Sequence, residues 1–138
     1  SPQGYNNRAV AYDEKGELDA AIADYGRAIE RDPDNATLYY NRGVAHLKRL
    51  QRVESADPGE RQTAYADRAL ADFSEAIAQD ADDADAYYNR GLVHLRLGRL
   101  DNAVADFNDA LRLKPQHRDA KAARARALRR QGAANSAG

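Results

Sequence analysis

The sequence predicts an all-α fold made of stacked helix pairs, and three observations carry this prediction. The first is a tyrosine-rich block with copies at residues 5–12, 39–47 and 87–95. The second is a block that places Asp directly before an aromatic residue, with copies at residues 20–25, 68–73 and 102–107. The third is the helical spacing of apolar residues in both blocks, with Gly or Pro near the ends. Repetition of this kind is typical of helical arrays, whose function lies on a shared surface.

The signature positions of the third copy point to a known type of repeat. Between residues 84 and 117 they hold Tyr87, Gly91, His94, Gly98, Ala103, Phe107, Ala110 and Pro115. The first copy holds Tyr5, Ala9, Tyr12, Gly16, Ala21, Tyr25, Ala28 and Pro33 at the same positions. The chain thus resembles the tetratricopeptide repeat family, whose repeat has about 34 residues. The resemblance implies a right-handed superhelical array of antiparallel helix pairs, here three repeats and a C-terminal capping helix.

The repeats divide the chain into five segments. We expect three repeats at residues 2–35, 36–83 and 84–117, a capping helix at 118–132 and a disordered tail at 133–138. Neighbouring repeats must stack, because a single helix pair cannot bury its apolar face.

The second repeat carries an insertion, since it is about 14 residues longer than the family's repeat. Leu47, Leu50 and Val53 continue the apolar face of its first helix, which predicts helix as far as Val53. The run Asp-Pro-Gly-Glu at residues 57–60 supplies an N-cap, a first-turn proline and a capping-box acid for the second helix. We therefore predict an extended helical hairpin. The alternative is a surface loop over residues 51–62.

Composition limits the class of protein. The chain has 138 residues with 43% hydrophobic content, and no apolar run reaches the ~20 residues of a membrane span. We expect one soluble domain without a membrane span. The absence of Cys excludes disulfides and thiolate metal sites. It leaves the compartment open, cytoplasmic or exported after removal of a signal peptide, and the chain can be a fragment of a longer protein.

Basic residues gather at the C-terminal end. From Arg112 onward there are eight Lys or Arg against Asp119 alone. Such a helix could bind RNA, an acidic peptide or an anionic membrane surface. We favour the simpler interpretation, in which a terminal helix needs a polar outer face, and we do not expect nucleic acid as a partner.

The candidate chemical groups do not form a catalytic site. His46 and His94 occupy the same position in successive repeats, which suggests a metal pair, but the first repeat has Tyr12 there. Core packing explains the two histidines better than metal binding does. The sequence has no glycine-rich phosphate loop and no nucleophile with a matching base. We expect no enzyme activity, no cofactor and no metal.

Opposite charges recur at matched positions in all three repeats. An Arg stands where the family usually has Leu, and an Asp stands directly before the aromatic residue of the second helix. The predicted salt bridges are Arg8 with Asp24, Arg42 with Asp72 and Arg90 with Asp106. We interpret them as structural links between the two helices of each pair. The alternative is that the three arginines line up to bind an anion.

The resemblance also implies a binding surface, because tetratricopeptide arrays hold a peptide or a partner helix on the concave face formed by the first helix of each pair. The corresponding groove residues are Asn7, Val10, Tyr40, Asn41, Val44, Leu47, Tyr88, Asn89, Leu92, Leu95 and Arg96. The asparagines suit the backbone of an extended segment, and the apolar residues suit its side chains. The alternative is that some of them pack against the terminal helix or a neighbouring molecule.

One subclass of the family, the carboxylate clamp that holds a chaperone's C-terminal tail, uses Lys, Arg and Asn at five positions. Here those positions hold Asn6, Val10, Asn41, Asp85 and Asn89, of which only Asn41 matches. Asp85 would repel a terminal carboxylate, so a receptor of this type is not expected.

The sequence therefore predicts a non-catalytic protein-interaction module that binds a peptide or helix of another protein in its concave groove. One alternative is a self-assembling scaffold, a homo-oligomer joined through the extended hairpin or the terminal repeats. The other is an anion or nucleic-acid binder that uses the basic C-terminal helix.

Overall fold

The computed structural model describes residues 1–53 and 59–137. These residues form seven α-helices and contain no strand. The helices are α1 (Pro2–Glu14), α2 (Leu18–Arg31), α3 (Ala36–Arg52), α4 (Glu60–Gln79), α5 (Ala84–Arg96), α6 (Leu100–Leu113) and α7 (Arg118–Ala137). The prediction of an all-α fold is confirmed, with three helix pairs and one further helix.

The chain folds as two compact units, an N-terminal unit at Ser1–Ala81 and a C-terminal unit at Asp82–Gly138. In the N-terminal unit, α1 packs on α2 and α3 packs on α4, while α2 also contacts α3. In the C-terminal unit, α5 packs on α6, and α7 covers α6 and part of α5. No helix within the described residues combines the length and the apolar character that crossing a membrane requires.

Local sequence explains where the helices begin and end. The side chains of Asn35 and Asp83 accept backbone N–H groups at the starts of α3 and α5. Gly16 and Gly98 follow α1 and α5 with positive φ angles of 80° and 75°, a conformation that favours glycine. The sharp turns that they allow bring the second helix of the first and third pairs back along the first helix.

The two helices of the second repeat are longer than those of the other pairs. α3 has 17 residues and α4 has 20, against 13 and 14 in each of the other two pairs. The apolar spacing predicted helix as far as Val53, and α3 ends at Arg52. The predicted N-cap Asp57 and first-turn Pro58 lie outside the described residues, as does the segment 54–58 of the predicted alternative loop, whose residues 51–52 and 60–62 are helical.

The end of the last helix differs from the prediction. α7 runs to Ala137 rather than ending at residue 132, so the expected disordered tail is helical over residues 133–137. The tail contains three Ala residues, which favour helix more than any other residue type does. A helix already nucleated by packing propagates easily into such a segment.

The second and third pairs each have an aromatic ring against the backbone of the first helix. A Cβ atom built on Gly91 would lie 2.6 Å from Cε1 of Phe107, and one on Gly43 would lie 2.8 Å from Cε1 of Phe73. Both rings are fully buried. Glycine is therefore required in these helices for close approach, although it weakens helix propensity by about 1 kcal/mol relative to Ala.

Replacing Gly91 with Ala is expected to lower the free energy of unfolding by up to about 2 kcal/mol. The overpacking cost of about 1 to 3 kcal/mol exceeds the gain in helix propensity. Gly132→Ala is the matched control, because Gly132 lies in α7 with no atom within 4 Å of the added Cβ. Urea unfolding should show Gly132→Ala unchanged or stabilised. A neutral Gly91→Ala variant would show that the Phe107 ring can move aside.

Candidate functional site

Three ion pairs with one geometry connect the first and second helices of the three pairs. In each, the Nε and Nη2 atoms of an Arg donate to the two carboxylate oxygens of a buried Asp, over N···O distances of 2.6 to 2.9 Å. The pairs are Arg8–Asp24, Arg42–Asp72 and Arg90–Asp106. Such bidentate bonds are strong and fix the relative position of the two helices.

The first ion pair has a different environment from the other two. The Arg8 side chain is 56% exposed, against 27% for Arg42 and 23% for Arg90. Asp24 also accepts a bond of 2.6 Å from Nη1 of Arg27, one turn further along α2. The hydrogen bond from Arg8 is the main reason that the pKa of Asp24 lies below its usual value. Asp24 therefore has two cationic partners.

The two histidines lie beside the carboxylates of the second and third ion pairs. Nε2 of His46 is 3.7 Å from Oδ2 of Asp72, and Nε2 of His94 is 3.8 Å from Oδ2 of Asp106. Both Nδ1 atoms are buried and make no hydrogen bond within the described part of the chain. Burial lowers the pKa of His46 to about 4 and also lowers that of His94. Both imidazoles are therefore neutral at pH 7.

These histidines have too few acidic or thiol neighbours for a metal site. Across the described residues, no three His, Cys, Asp or Glu side chains are grouped closely enough to hold a metal ion. Each histidine has one carboxylate beside it, and that carboxylate already accepts two bonds from an arginine.

The predicted groove residues of the N-terminal unit lie on α1 and α3. Asn7 is exposed, while Val10, Tyr40, Asn41 and Val44 are half-buried. The amide Nδ2 of Asn41 donates to Oδ1 of Asn6 on α1, at the long distance of 3.5 Å. The Tyr40 ring meets the buried Phe73 ring edge-on, with centroids 6.0 Å apart. We call Asn7, Val10, Tyr40, Asn41 and Val44 the α1/α3 strip.

Two of the predicted groove residues belong to the core instead. Leu47 is only 4% exposed and Leu95 only 5%, so their assignment to the groove is wrong. Leu47 lies in α3, which contacts α2 on one side and α4 on the other. Leu95 packs in a cluster with Phe107 of α6 and alanines of α7. A helix covered from two sides buries more than one stripe of residues.

The remaining groove residues of the C-terminal unit lie on α5, where α7 covers part of the surface. Tyr88 and Leu92 pack against the cluster that contains alanines of α7, and the Tyr88 ring lies 4.9 Å from the His117 ring. Burial raises the pKa of Tyr88. Asn89 is half-buried and Arg96 is exposed. Tyr88 and Leu92 therefore fit the alternative in which some of the predicted groove residues pack against the terminal helix.

Sequence reasoning missed the role of His117. Its Nδ1 atom accepts the backbone N–H of Ala120 at 3.1 Å, which satisfies one N–H group at the start of α7. Because Nδ1 accepts, the proton lies on Nε2, which donates to Oδ1 of Asp85 at 2.9 Å. The available signal was a polar residue two positions after Pro115, directly before the helix. Histidine is not among the usual N-cap residues, so this signal is weak.

Recurring helix pairs with the same ion pair, two of them with the same contact between ring and glycine, define a helical repeat protein. A family model described as TPR repeat matches residues 10–49, and one described as Tetratricopeptide repeat matches residues 66–118. The two ranges together cover more than half of the chain. The chain belongs to the tetratricopeptide repeat family. Among curated proteins, none matches the sequence.

Solved structures of tetratricopeptide domains share the fold. The TPR domain of Arabidopsis OM64 is 28% identical with a TM-score of 0.82, over 94% of this chain and 96% of that domain. The second TPR domain of human RPAP3, in complex with the HSP70 peptide SGPTIEEVD, is 26% identical with a TM-score of 0.76, over 93% of this chain and 98% of that domain. The second TPR of Spaghetti (RPAP3), bound to the HSP90 peptide SRMEEVD, is 28% identical with a TM-score of 0.68, over 82% of this chain and 92% of that domain.

Proposed function

We propose that this protein is a non-catalytic protein-interaction module that binds a peptide or helix of a partner protein on the α1/α3 strip. The observation that carries the proposal is the half-buried apolar surface of Tyr40 and Val44, one turn apart on α3, which also carries the amide of Asn41. The family and its fold are typical of interaction modules without catalytic activity.

The strip combines the two kinds of contact that peptide recognition needs. Tyr40 and Val44 keep side-chain surface that a partner can cover, and tyrosine is enriched among residues that dominate binding energy. The hydrogen bond between Asn41 and Asn6 is 3.5 Å long and therefore weak. Because an amide both donates and accepts, a partner's backbone can replace this bond at little cost.

The RPAP3 domains with bound EEVD peptides support a peptide as the type of partner, but not that particular peptide. The corresponding clamp positions here carry no Lys or Arg. At one of them, the carboxylate of Asp85 is held by His117. A chaperone tail would bring its own carboxylates to a surface that offers them no cation at these positions.

The peptide SRMEEVD is therefore expected not to bind. Isothermal titration calorimetry should show no saturable heat at concentrations that saturate the second TPR of RPAP3, measured as the positive control. Saturable binding that is lost in the Asn41→Ala variant would show that the strip accepts a chaperone tail without the clamp.

Tyr40→Ala is expected to weaken a partner captured from the native source by about 1 to 2 kcal/mol, or roughly 5- to 30-fold. The reason is the loss of an aromatic ring that only partly contributes to the core. The partner is identified with the unchanged protein, and its affinity is then measured for each variant. Tyr65→Ala is the matched control, because Tyr65 is a half-buried tyrosine on α4 that bonds Arg49.

Circular dichroism must show that Tyr40→Ala keeps the helical content and the melting transition. Equal losses of affinity in the two tyrosine variants would contradict the assignment of the strip. So would an unfolded Tyr40→Ala variant, because the ring would then belong to the core.

The two alternative functions stay predictions, and each has its own measurement. Self-assembly predicts a mass above that of one chain in light scattering. Binding of nucleic acid by α7 predicts an affinity for RNA that falls steeply with salt.

A further inference from the structure

A cleft of about 360 Å³ lies in the N-terminal unit where α2, α3 and α4 meet. It is separate from the α1/α3 strip, because its walls come mainly from the second helices of the two repeats. The lining residues are Ile22, Arg42, His46, Arg68, Ala71 and Asp72. The cleft therefore combines two guanidinium groups, one carboxylate, one imidazole and two apolar side chains.

The charges of the cleft favour an anion. Asp72 is already neutralised by Arg42, whose Nε and Nη2 atoms hold its two oxygens. That contact also fixes the Arg42 guanidinium in place and leaves its Nη1 donors outside the pair, near Gly26. Arg68 lies one turn before Asp72 on α4, is exposed, and has no ion pair with any described residue. With His46 neutral, the lining has a net charge of one positive unit.

His46 adds a buried polar side chain to the lining of the cleft. The residue is 6% exposed, and its Nδ1 atom is buried without a hydrogen bond. Its Nε2 atom is 3.7 Å from Oδ2 of Asp72, too far for a hydrogen bond. No described residue hydrogen-bonds the imidazole, which leaves a buried polar group unsatisfied.

We propose that this cleft is an oxyanion site that takes one carboxylate of an acidic side chain of a protein partner, with Arg42 and Arg68 as its donors. A single carboxylate matches the net charge of the lining, whereas a phosphate with a charge of about −1.5 to −2 would leave excess negative charge beside Asp72. Ile22 and Ala71 offer apolar surface for the methylene groups of the acidic side chain. The planar guanidinium groups suit the planar carboxylate.

The site is distinct from the α1/α3 strip, and it can be tested without any partner protein. In the ¹⁵N-labelled protein, the Nε–H signals of Arg42 and Arg68 and the ring signals of His46 are followed by NMR while sodium acetate is added. Sodium chloride at the same ionic strength controls for screening, and inorganic phosphate is the second anion. Acetate is expected to shift all three sets of signals and to reach saturation, and to bind more tightly than phosphate.

Arg68→Gln is expected to weaken acetate binding at least about tenfold, the effect of removing one charge-assisted contact. Arg68 is exposed, so this variant should keep the fold. Arg129→Gln on α7 removes the same charge from an exposed position outside the cleft and should leave the titration unchanged. His46→Phe tests the imidazole separately.

Equal shifts with acetate and chloride would overturn the site, as would unaltered acetate binding in Arg68→Gln. Tighter binding of phosphate than of acetate would overturn the assignment to a carboxylate. The Tyr40→Ala variant separates this proposal from the proposed function, because it should bind acetate normally even if it loses the partner.

Discussion

Replacing Arg42 with Met is expected to lower the free energy of unfolding by about 2 to 3 kcal/mol. The substitution keeps the apolar stem of the side chain and leaves the carboxylate of Asp72, which is 5% exposed, without its two donors. Removing one member of a fully buried pair costs about 3 to 5 kcal/mol. The lower figure is expected here because the Arg42 side chain is 27% exposed and water screens the pair in part.

Arg8→Met is the matched control in the first repeat. Asp24 keeps its bond of 2.6 Å to Arg27 in that variant, so its carboxylate remains paired. We expect a much smaller loss of stability than for Arg42→Met. Urea unfolding followed by circular dichroism measures both values. Equal losses would show that the second cation on Asp24 contributes nothing, and a negligible loss in Arg42→Met would contradict the structural role of the ion pair.

Acidification from pH 6.5 to pH 4 is expected to remove about 3 kcal/mol of stability through His46 alone. Burial lowers the pKa of His46 in the folded protein to about 4, against 6.5 when unfolded, and the positive charges of Arg42, Arg68 and Arg49 act in the same direction. Asp72 opposes them. Below pH 6.5 the unfolded chain binds a proton that the folded chain does not, so stability falls with pH until about pH 4.

His46→Phe isolates this contribution, because the variant keeps a ring in the same place but cannot bind a proton. Its unfolding free energy should depend less on pH between 6.5 and 4 than that of the unchanged protein. His94, whose pKa is also lowered, remains in both proteins and cancels in the comparison. The same pH profile for both proteins would mean that His46 titrates near its ordinary pKa in the folded state.

The recurrence of residue types predicted the architecture well. Positions that repeat together report contacts inside the repeat, which is why matched Arg and Asp positions lie within hydrogen-bonding distance in all three pairs. Helix ends were predicted where Gly gives a local signal, as at Gly16 and Gly98. Such signals depend on a few neighbouring residues and need no knowledge of the tertiary structure.

The candidate site was predicted less well because exposure depends on what covers a helix. Tyr40 and Leu47 share one face of α3 by helical spacing, yet the first is half-buried and the second is in the core. The spacing gives the direction of a side chain but not the number of neighbouring helices. Similarly, the pattern of α5 could not decide between a groove and the alternative in which Tyr88 packs near the terminal helix, where its ring contacts His117.

The contact between ring and glycine restricts which parts of this protein can be exchanged among repeats. The second and third pairs combine Gly43 with Phe73 and Gly91 with Phe107, whereas the first combines Ala9 with Tyr25 in its core. A chimera that placed α1 against α6 would force a methyl group onto a phenyl ring that has no room for it. The smallest transferable module is therefore the whole pair, so exchanges of repeats that preserve the fold should begin and end at the connections between pairs.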